Sequence, residues 1–274
     1  MSGLLRADFR RILKDKLLMV MGILAVAFAL ITPLLYVAIS SGMGDMGEEI
    51  IAGYITGKAQ FFSTFSMGNN LGLIAPVLLA IALCKDFSFG TVRNKIIAGK
   101  SRSAIFLSLF TTCAVVLIAV MLLHAFITLG VSLIFFDYQP TEFTAADFWY
   151  FIESLGFELL VLLFMAALLS WLCAGMKNVG LVIVLYIAIA FFLVMAGSIV
   201  QVALSVLEAT GGNETLIHVV RFLDRINVGT ASAYIGMGTE YTLKDVLYLT
   251  IPAGVGILGF TGLGLWSFNK KDLK

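Results

Sequence analysis

The sequence predicts an all-α integral membrane bundle of six spans. Three observations carry that prediction: the composition, the spacing of charge-free apolar runs, and the sidedness of Lys and Arg. Hydrophobic residues make up 60% of the 274 and charged residues 13%, with a mean hydropathy of +1.02. Soluble domains hold about 45–50% apolar and about 25% charged residues, so too few charges are present to cover this much apolar surface in water. The formal net charge of +1 carries little, because in a membrane protein the placement of charge outweighs its sum. Cys84, Cys113 and Cys173 are far apart in apolar runs without any Cys-x-x-Cys or Cys/His cluster. They read as buried small hydrophobes, with neither a disulfide framework nor a metal site.

The apolar runs place spans at 17–40, 62–84, 104–136, 156–176, 179–207 and 246–268 within one domain, 1–274. Each approaches the ~20 residues that cross a hydrocarbon layer of about 30 Å at about 1.5 Å per residue. None holds a Lys or Arg at its centre, where each would cost about 2.5–3.5 kcal/mol. The second run is tight only over Leu71–Cys84 and needs residues before Leu71 to complete a crossing.

Direction follows from the cations. One set of connections holds 14 of the 18 Lys and Arg: Arg6, Arg10, Arg11, Lys14, Lys16, Lys85, Arg93, Lys95, Lys100, Arg102, Lys177, Lys270, Lys271 and Lys274. The other holds Lys58, Arg221, Arg225 and Lys244, with the acids Asp45, Glu48, Glu49, Asp137, Glu142, Asp147 and Glu153. The positive-inside rule therefore expects both ends and the 85–102 loop in the cytoplasm, which requires an even number of spans. The first run is longer than the apolar core of a signal peptide, and Asp8 and Asp15 stand in its flank, so it is expected to stay as an anchor.

Three connections carry more than charge. In residues 2–16, Leu5, Phe9, Ile12 and Leu13 follow helical spacing while Arg6, Arg10, Arg11 and Lys14 face elsewhere, the pattern of an amphipathic interfacial helix. It serves either as a topology anchor or as an elbow that cradles a partner. In the 85–102 loop, Ser88 and Thr91 are candidate N-caps, Val92, Ile96 and Ile97 a candidate apolar face, and Gly99 a helix stop. Between spans five and six, Leu216, Ile217, Val220 and Leu223 recur at helical spacing among His218, Arg221, Asp224 and Arg225, predicting a short amphipathic helix on the outer side. Asn213-Glu214-Thr215 has the form of a glycosylation sequon.

Several motifs imitate chemistry. Gly99-Lys100-Ser101 resembles the end of a phosphate-binding loop, yet Asn94 stands where the first glycine is required and no strand precedes it. Gly254-x-Gly256-x-x-Gly259 lies inside the sixth span, without room for the rest of a dinucleotide-binding unit. Gly256, Gly259 and Gly262 read instead as one close-packing helix face. The only histidines are His124 and His218; Glu48-Glu49 lacks an Arg shortly after it, and no Gly-x-Ser-Gly occurs. No catalytic residue is assigned. Of the ionisable residues near membrane depth, His124 either lines a pathway or packs by hydrogen bonding, and Glu158 reads as interfacial.

The stretch Phe89-Gly90-Thr91-Val92-Arg93-Asn94, followed by Gly99, Ser101-Arg102 and Ile105-Phe106-Leu107-Ser108, resembles permeases of ABC-2-type exporters. The basic amphipathic start, the six spans and the ending Phe268-Asn269-Lys270-Lys271-Asp272-Leu273 share that likeness. Leu109 departs from it, standing where similar sequences commonly carry Lys. The resemblance implies a bacterial plasma-membrane permease that binds no cofactor itself. A separate ATPase subunit would hold ATP and Mg, and a second copy of the permease would complete a 2+2 complex without nucleic acid. It further implies that Phe89, Gly90, Thr91, Arg93 and Asn94 form a coupling helix docked on the ATPase, with Leu5, Phe9, Arg10, Ile12 and Leu13 on the elbow helix beside it. The segment between spans five and six would hold re-entrant helices. The aromatic-rich spans, with His124, Phe126 and Phe191 as pathway candidates, suit an amphipathic cargo, first among them a peptide toxin or antimicrobial peptide. The competing class is an ion-gradient-driven transporter or a channel, which needs midplane ionisable groups or broken helices. Pro33 and Pro76 could break helices, but no acid accompanies them.

Overall fold

The computed structural model describes residues 2–42, 55–176, 178–237 and 240–270. Asp45, Glu48, Glu49, Lys177, Lys271, Asp272, Leu273 and Lys274, used above for orientation or resemblance, lie outside the described residues. Those described form helices and no strand: α1 Ser2–Leu13, α2 Lys16–Gly42, α3 Gly57–Ser63, α4 Asn70–Ser88, α5 Thr91–Ile97, α6 Arg102–Phe135, α7 Ala145–Gly175, α8 Val179–Ala209, α9 Glu214–Arg225, α10 Ala231–Met237 and α11 Leu243–Lys270. Six of them, α2, α4, α6, α7, α8 and α11, are long and apolar enough to cross a membrane.

The six helices divide by burial. About 72% of the most apolar window of α7 is inside the bundle, against 11% for α11 and 17% for α8. So α4, α6 and α7 form the centre, while α2, α8 and α11 wrap them and turn Leu34, Ile39, Val184, Phe191, Phe192, Val255 and Leu258 outward. Lipid tails are as apolar as these side chains, so their exposure costs nothing in a bilayer.

Two spans differ from the sequence expectation. The second does not run from 62: α3 ends at Ser63, the chain turns, and α4 starts at Asn70, with Asn69 accepting from the Asn70 N–H as N-cap. Phe61, Phe62 and Phe65 are fully buried beside Phe126 and Phe151, so α3 is a short plug that buries its phenylalanines in the end of the bundle. Hydropathy alone fuses the two because both are apolar; polar Ser66, Asn69 and Asn70 mark the break. The fourth span starts at Ala145 instead of 156, held by a reciprocal capping box between Thr144 and Asp147. Its charged first turns stand outside the apolar run, and a charge-based boundary cuts them off. Helices α2 and α4 run through Pro33 and Pro76 without interruption.

Small residues set the closest helix approach, but at other positions than the sequence suggests. A Cβ on Gly256 would stand 2.3 Å from the Phe164 ring and one on Gly264 2.2 Å from the Phe106 ring, whereas Gly259 and Gly262 meet nothing within 4 Å. The packing stripe of α11 is therefore 256/260/264, where Phe260 also stacks on Trp171. The three cysteines are buried, with no disulfide among them, and the Cys84 and Cys173 Sγ atoms lie 3.3 Å apart.

Candidate functional site

At the end of the bundle carrying α1 and α5, an apolar knot joins five helices. Leu4 of α1, Val92 of α5, Ile105 and Phe106 of α6, Ala174 of α7 and Phe268 of α11 are buried together. Val92 is thus the point at which the short helix α5 grips the spans. Arg102 reinforces the knot by donating to the Phe268 and Asn269 carbonyl oxygens, closing the C-terminal end of α11.

A charge network surrounds the knot. Lys95 Nζ lies 2.6 Å from Asp8 and 3.5 Å from Asp86, and Arg11 lies 2.8 Å from Asp86 while also donating to the Ala82 carbonyl. Ser108 Oγ donates to the other Asp8 oxygen at 2.6 Å. Asp8, Asp86 and Ser108 are all buried. Nearer solvent, Lys85 pairs with Asp15 at 2.9 Å. The network ties α1 to α4, α5 and α6. Lys85 and Lys95 are therefore ion-pair partners within the bundle end.

The ends of α5 differ in part from expectation. Neither Ser88 nor Thr91 is the N-cap; Gly90 holds that position at φ 69° with no side-chain cap. At the other end Gly99, at φ 79°, closes a Schellman motif: its N–H donates to Ile96 and that of Lys100 to Lys95. Gly99-Lys100-Ser101 is thus a helix stop followed by the Ser101 cap of α6. Gly90→Ala is expected to lower stability by about 1–2 kcal/mol from backbone strain alone, since a Cβ there meets no neighbour; the thermal unfolding midpoint in detergent measures it.

The predicted site residues sort cleanly. Phe89, Arg93, Asn94 and Ile97 face outward, so Ile97 does not share the buried face of Val92 and Ile96. Gly90 and Thr91 are half-buried beneath them. On α1, Ile12 is buried, Leu5 and Phe9 are half-buried, and Arg10 and Leu13 are exposed. The inward stripe is Leu4, Asp8 and Ile12, because Lys95 of α5 neutralises the acid and Ser108 of α6 donates to it. Its i, i+4, i+8 spacing was a usable signal in the sequence.

Asp15 sits outside the spans. Burial raises its pKa, but the Leu17 N–H and the Lys85 ammonium outweigh this, so the carboxyl is held below its ordinary 3.8. A lowered folded value means the group stabilises the fold above pH 3.8 and loses that contribution as pH falls through the folded value. Asp15→Asn is therefore expected to flatten the acid limb of the stability profile below about pH 4, measured by unfolding midpoint against pH.

At the far end, a second polar group surrounds α7. Tyr150, Ser154 and Glu158 lie one turn apart on its buried face. Ser232 of α10 donates to Glu158 Oε2 at 2.9 Å, and Oε1 has no hydrogen-bond partner among the described residues. Glu158 is thus interior, not interfacial, because α10 covers it. Tyr241 stacks on Tyr150 and bonds Ser154 at 2.7 Å. Lys58 is buried with its ammonium 4.3 Å from the Tyr150 ring centre, and burial holds its pKa below the ordinary 10.5 against the pull of Asp147. A cavity of about 200 Å³ between α2, α3 and α10 is lined by Tyr36, Gln60, Ser63 and Ser232. The sequence showed none of this grouping, since its residues come from five separate segments.

The pathway candidates come apart. His124 is buried with Nδ1 2.9 Å from the Ala25 carbonyl, a packing contact between α6 and α2. Phe126 is half-exposed, with its ring edge against Phe61, and Phe191 faces outward on α8.

Six long apolar helices, tied at one end by the knot and its charges, fit the class of multi-pass helical membrane proteins. Within that class, a family model described as "Protein of unknown function (DUF2705)" matches residues 52–274, and the chain belongs to that family. The curated proteins contain no match to it.

Proposed function

We propose that the chain is the permease subunit of an ATP-driven ABC-2-type exporter. The observation that carries this reading is the construction of α5. It is a short helix outside the spans, locked to five helices through Val92 and Lys95, and it presents Phe89, Arg93, Asn94 and Ile97 outward. An element so placed receives force from a partner and delivers it to the bundle. On this reading the basic end faces the cytoplasm of a bacterial cell and α1 is the interfacial elbow. A separate ATPase binds ATP and Mg, and this chain supplies no hydrolytic residue. Two permeases and two ATPases make the transporter. The outward apolar faces of α2, α8 and α11 offer surface for the second copy and for lipid, and Phe126 and Phe191 would contribute to a pathway between copies. The far-end helices α3, α9 and α10 close its outer mouth. Cargo of amphipathic character, a peptide toxin or antimicrobial peptide, suits these aromatic surfaces.

Co-purification with a candidate ATPase tests the reading. Phe89→Ala with Arg93→Glu is expected to abolish association while leaving the unfolding midpoint unchanged, because both side chains are exposed; buried aromatic and Arg contacts at interfaces are commonly worth about 2–4 kcal/mol each. Retained association and ATP-coupled transport would remove the coupling assignment. A second reading, transport driven by an ion gradient, is favoured by one observation: the fully buried Glu158 beside Ser232. Glu158→Gln separates the two, since it would abolish gradient-driven uptake but leave ATP-driven export intact.

A further inference from the structure

Three of the four Lys and Arg residues on the sparsely charged side gather at one place. Arg221 and Arg225 of α9 and Lys244 of α11 line, with His218, Phe222 and Tyr248, a cavity of about 200 Å³ with no carboxylate among its lining residues. Arg221 also pairs with Glu208, and Arg225 with Asp245 at 2.7 Å. Lys244 and His218 have no ion-pair partner among the described residues and are exposed.

Helix α9 accounts for the grouping. His218, Arg221 and Arg225 fall on one face, and Leu216, Val219 and Leu223 on the opposite one. Those three apolar side chains are about half exposed, and no residue of this 12-residue helix is buried. A strongly amphipathic helix whose apolar side is left half exposed by its own chain lies in the plane of a membrane surface, that side in the acyl boundary. That places its cations beside the phosphates.

We propose that this pocket binds phosphate, specifically the headgroup phosphate of an anionic phospholipid. Guanidinium groups meet phosphate oxygens in a planar fork, and Lys244 adds a point charge. The cavity is smaller than the ~300–1,000 Å³ of sites that enclose whole ligands, which fits a headgroup whose tails stay in the bilayer along the apolar side of α9. The assignment needs only that α9 lies at a membrane surface, and so stands or falls separately from the exporter reading.

Native mass spectrometry of the full chain, released from detergent with phosphatidylglycerol or phosphatidylcholine, tests it against the double variant Lys244→Gln/His218→Gln. The wild-type chain is expected to retain one more phosphatidylglycerol than the variant, with no difference in phosphatidylcholine, and Lys244→Gln alone to weaken binding about fivefold. Matching unfolding midpoints without lipid show that both chains are folded. The basic α1 region is common to both chains and cancels in the comparison. Equal phosphatidylglycerol retention by the two chains overturns the site. Equal retention of both lipids by the wild type overturns it as well, since apolar contact would then suffice. If inorganic phosphate stabilises only the wild type while phosphatidylglycerol does not, the lipid source is overturned in favour of a soluble phosphate.

Discussion

Lys95→Met is expected to lower the stability of the chain by about 3–5 kcal/mol, the cost of removing one partner from a buried ionic group. Lys95 faces two acids, Asp8 at 2.6 Å and Asp86 at 3.5 Å, and both are buried. Without its ammonium, Arg11 alone opposes two carboxylates on adjoining helices. The loss falls on the attachment of α1, so the N-terminal segment should become protease-sensitive before the spans unfold. Asp8→Asn in the same chain is expected to recover part of the loss, because it removes one stranded charge. Unfolding midpoints in detergent for the two single variants and the double variant measure the coupling. If Lys95→Met alone leaves both the midpoint and the proteolysis pattern unchanged, the network does not hold α1.

Gly264→Leu is the second large effect. Its Cβ alone would stand 2.2 Å from the buried Phe106 ring, and the remaining side chain has no room in the knot that holds Val92 and Phe268. Overpacking of this kind costs about 1–3 kcal/mol and sometimes more. Here α11 must also move away from α6, which loosens the grip on α5. Gly259→Leu, five residues earlier on the outward side, meets nothing within 4 Å and is expected to be neutral. A clear difference in unfolding midpoint between the two variants supports the 256/260/264 packing stripe; equal effects remove it.

Much of the fold was legible because the bilayer imposes it locally. A run of some twenty apolar residues must become a helix, since no other backbone arrangement of one segment satisfies its own polar groups in lipid. Hence α2, α6, α8 and α11 fall within three residues of their expected bounds. The second span was harder, since α3 and α4 are both apolar and only a polar turn divides them. Sequence reasoning also found α5 and α9, whose apolar positions have no place in a plain charged loop.

The partnered charges were not legible. Asp8 and Asp86 are 78 positions apart, and nothing local tells that both meet Lys95. Glu158 looked interfacial because its neighbours in sequence end a span; α10 buries it from 74 positions away. Nor did the sequence tell which glycines of α11 touch a neighbour, because hydropathy repeats along the helix without naming the side that faces α6 and α7.

The sequence by itself determined an all-helical chain with six apolar helices, a basic side, and short amphipathic helices at both ends, since hydropathy and helical period act over a few turns. Only the tertiary structure decided which of those helices form the core and that α5 is bolted to α1. It alone also brought the scarce cations of the other side into one pocket. Ion pairing, close packing and cavity shape depend on distances between segments far apart in the chain, and a linear pattern does not encode them.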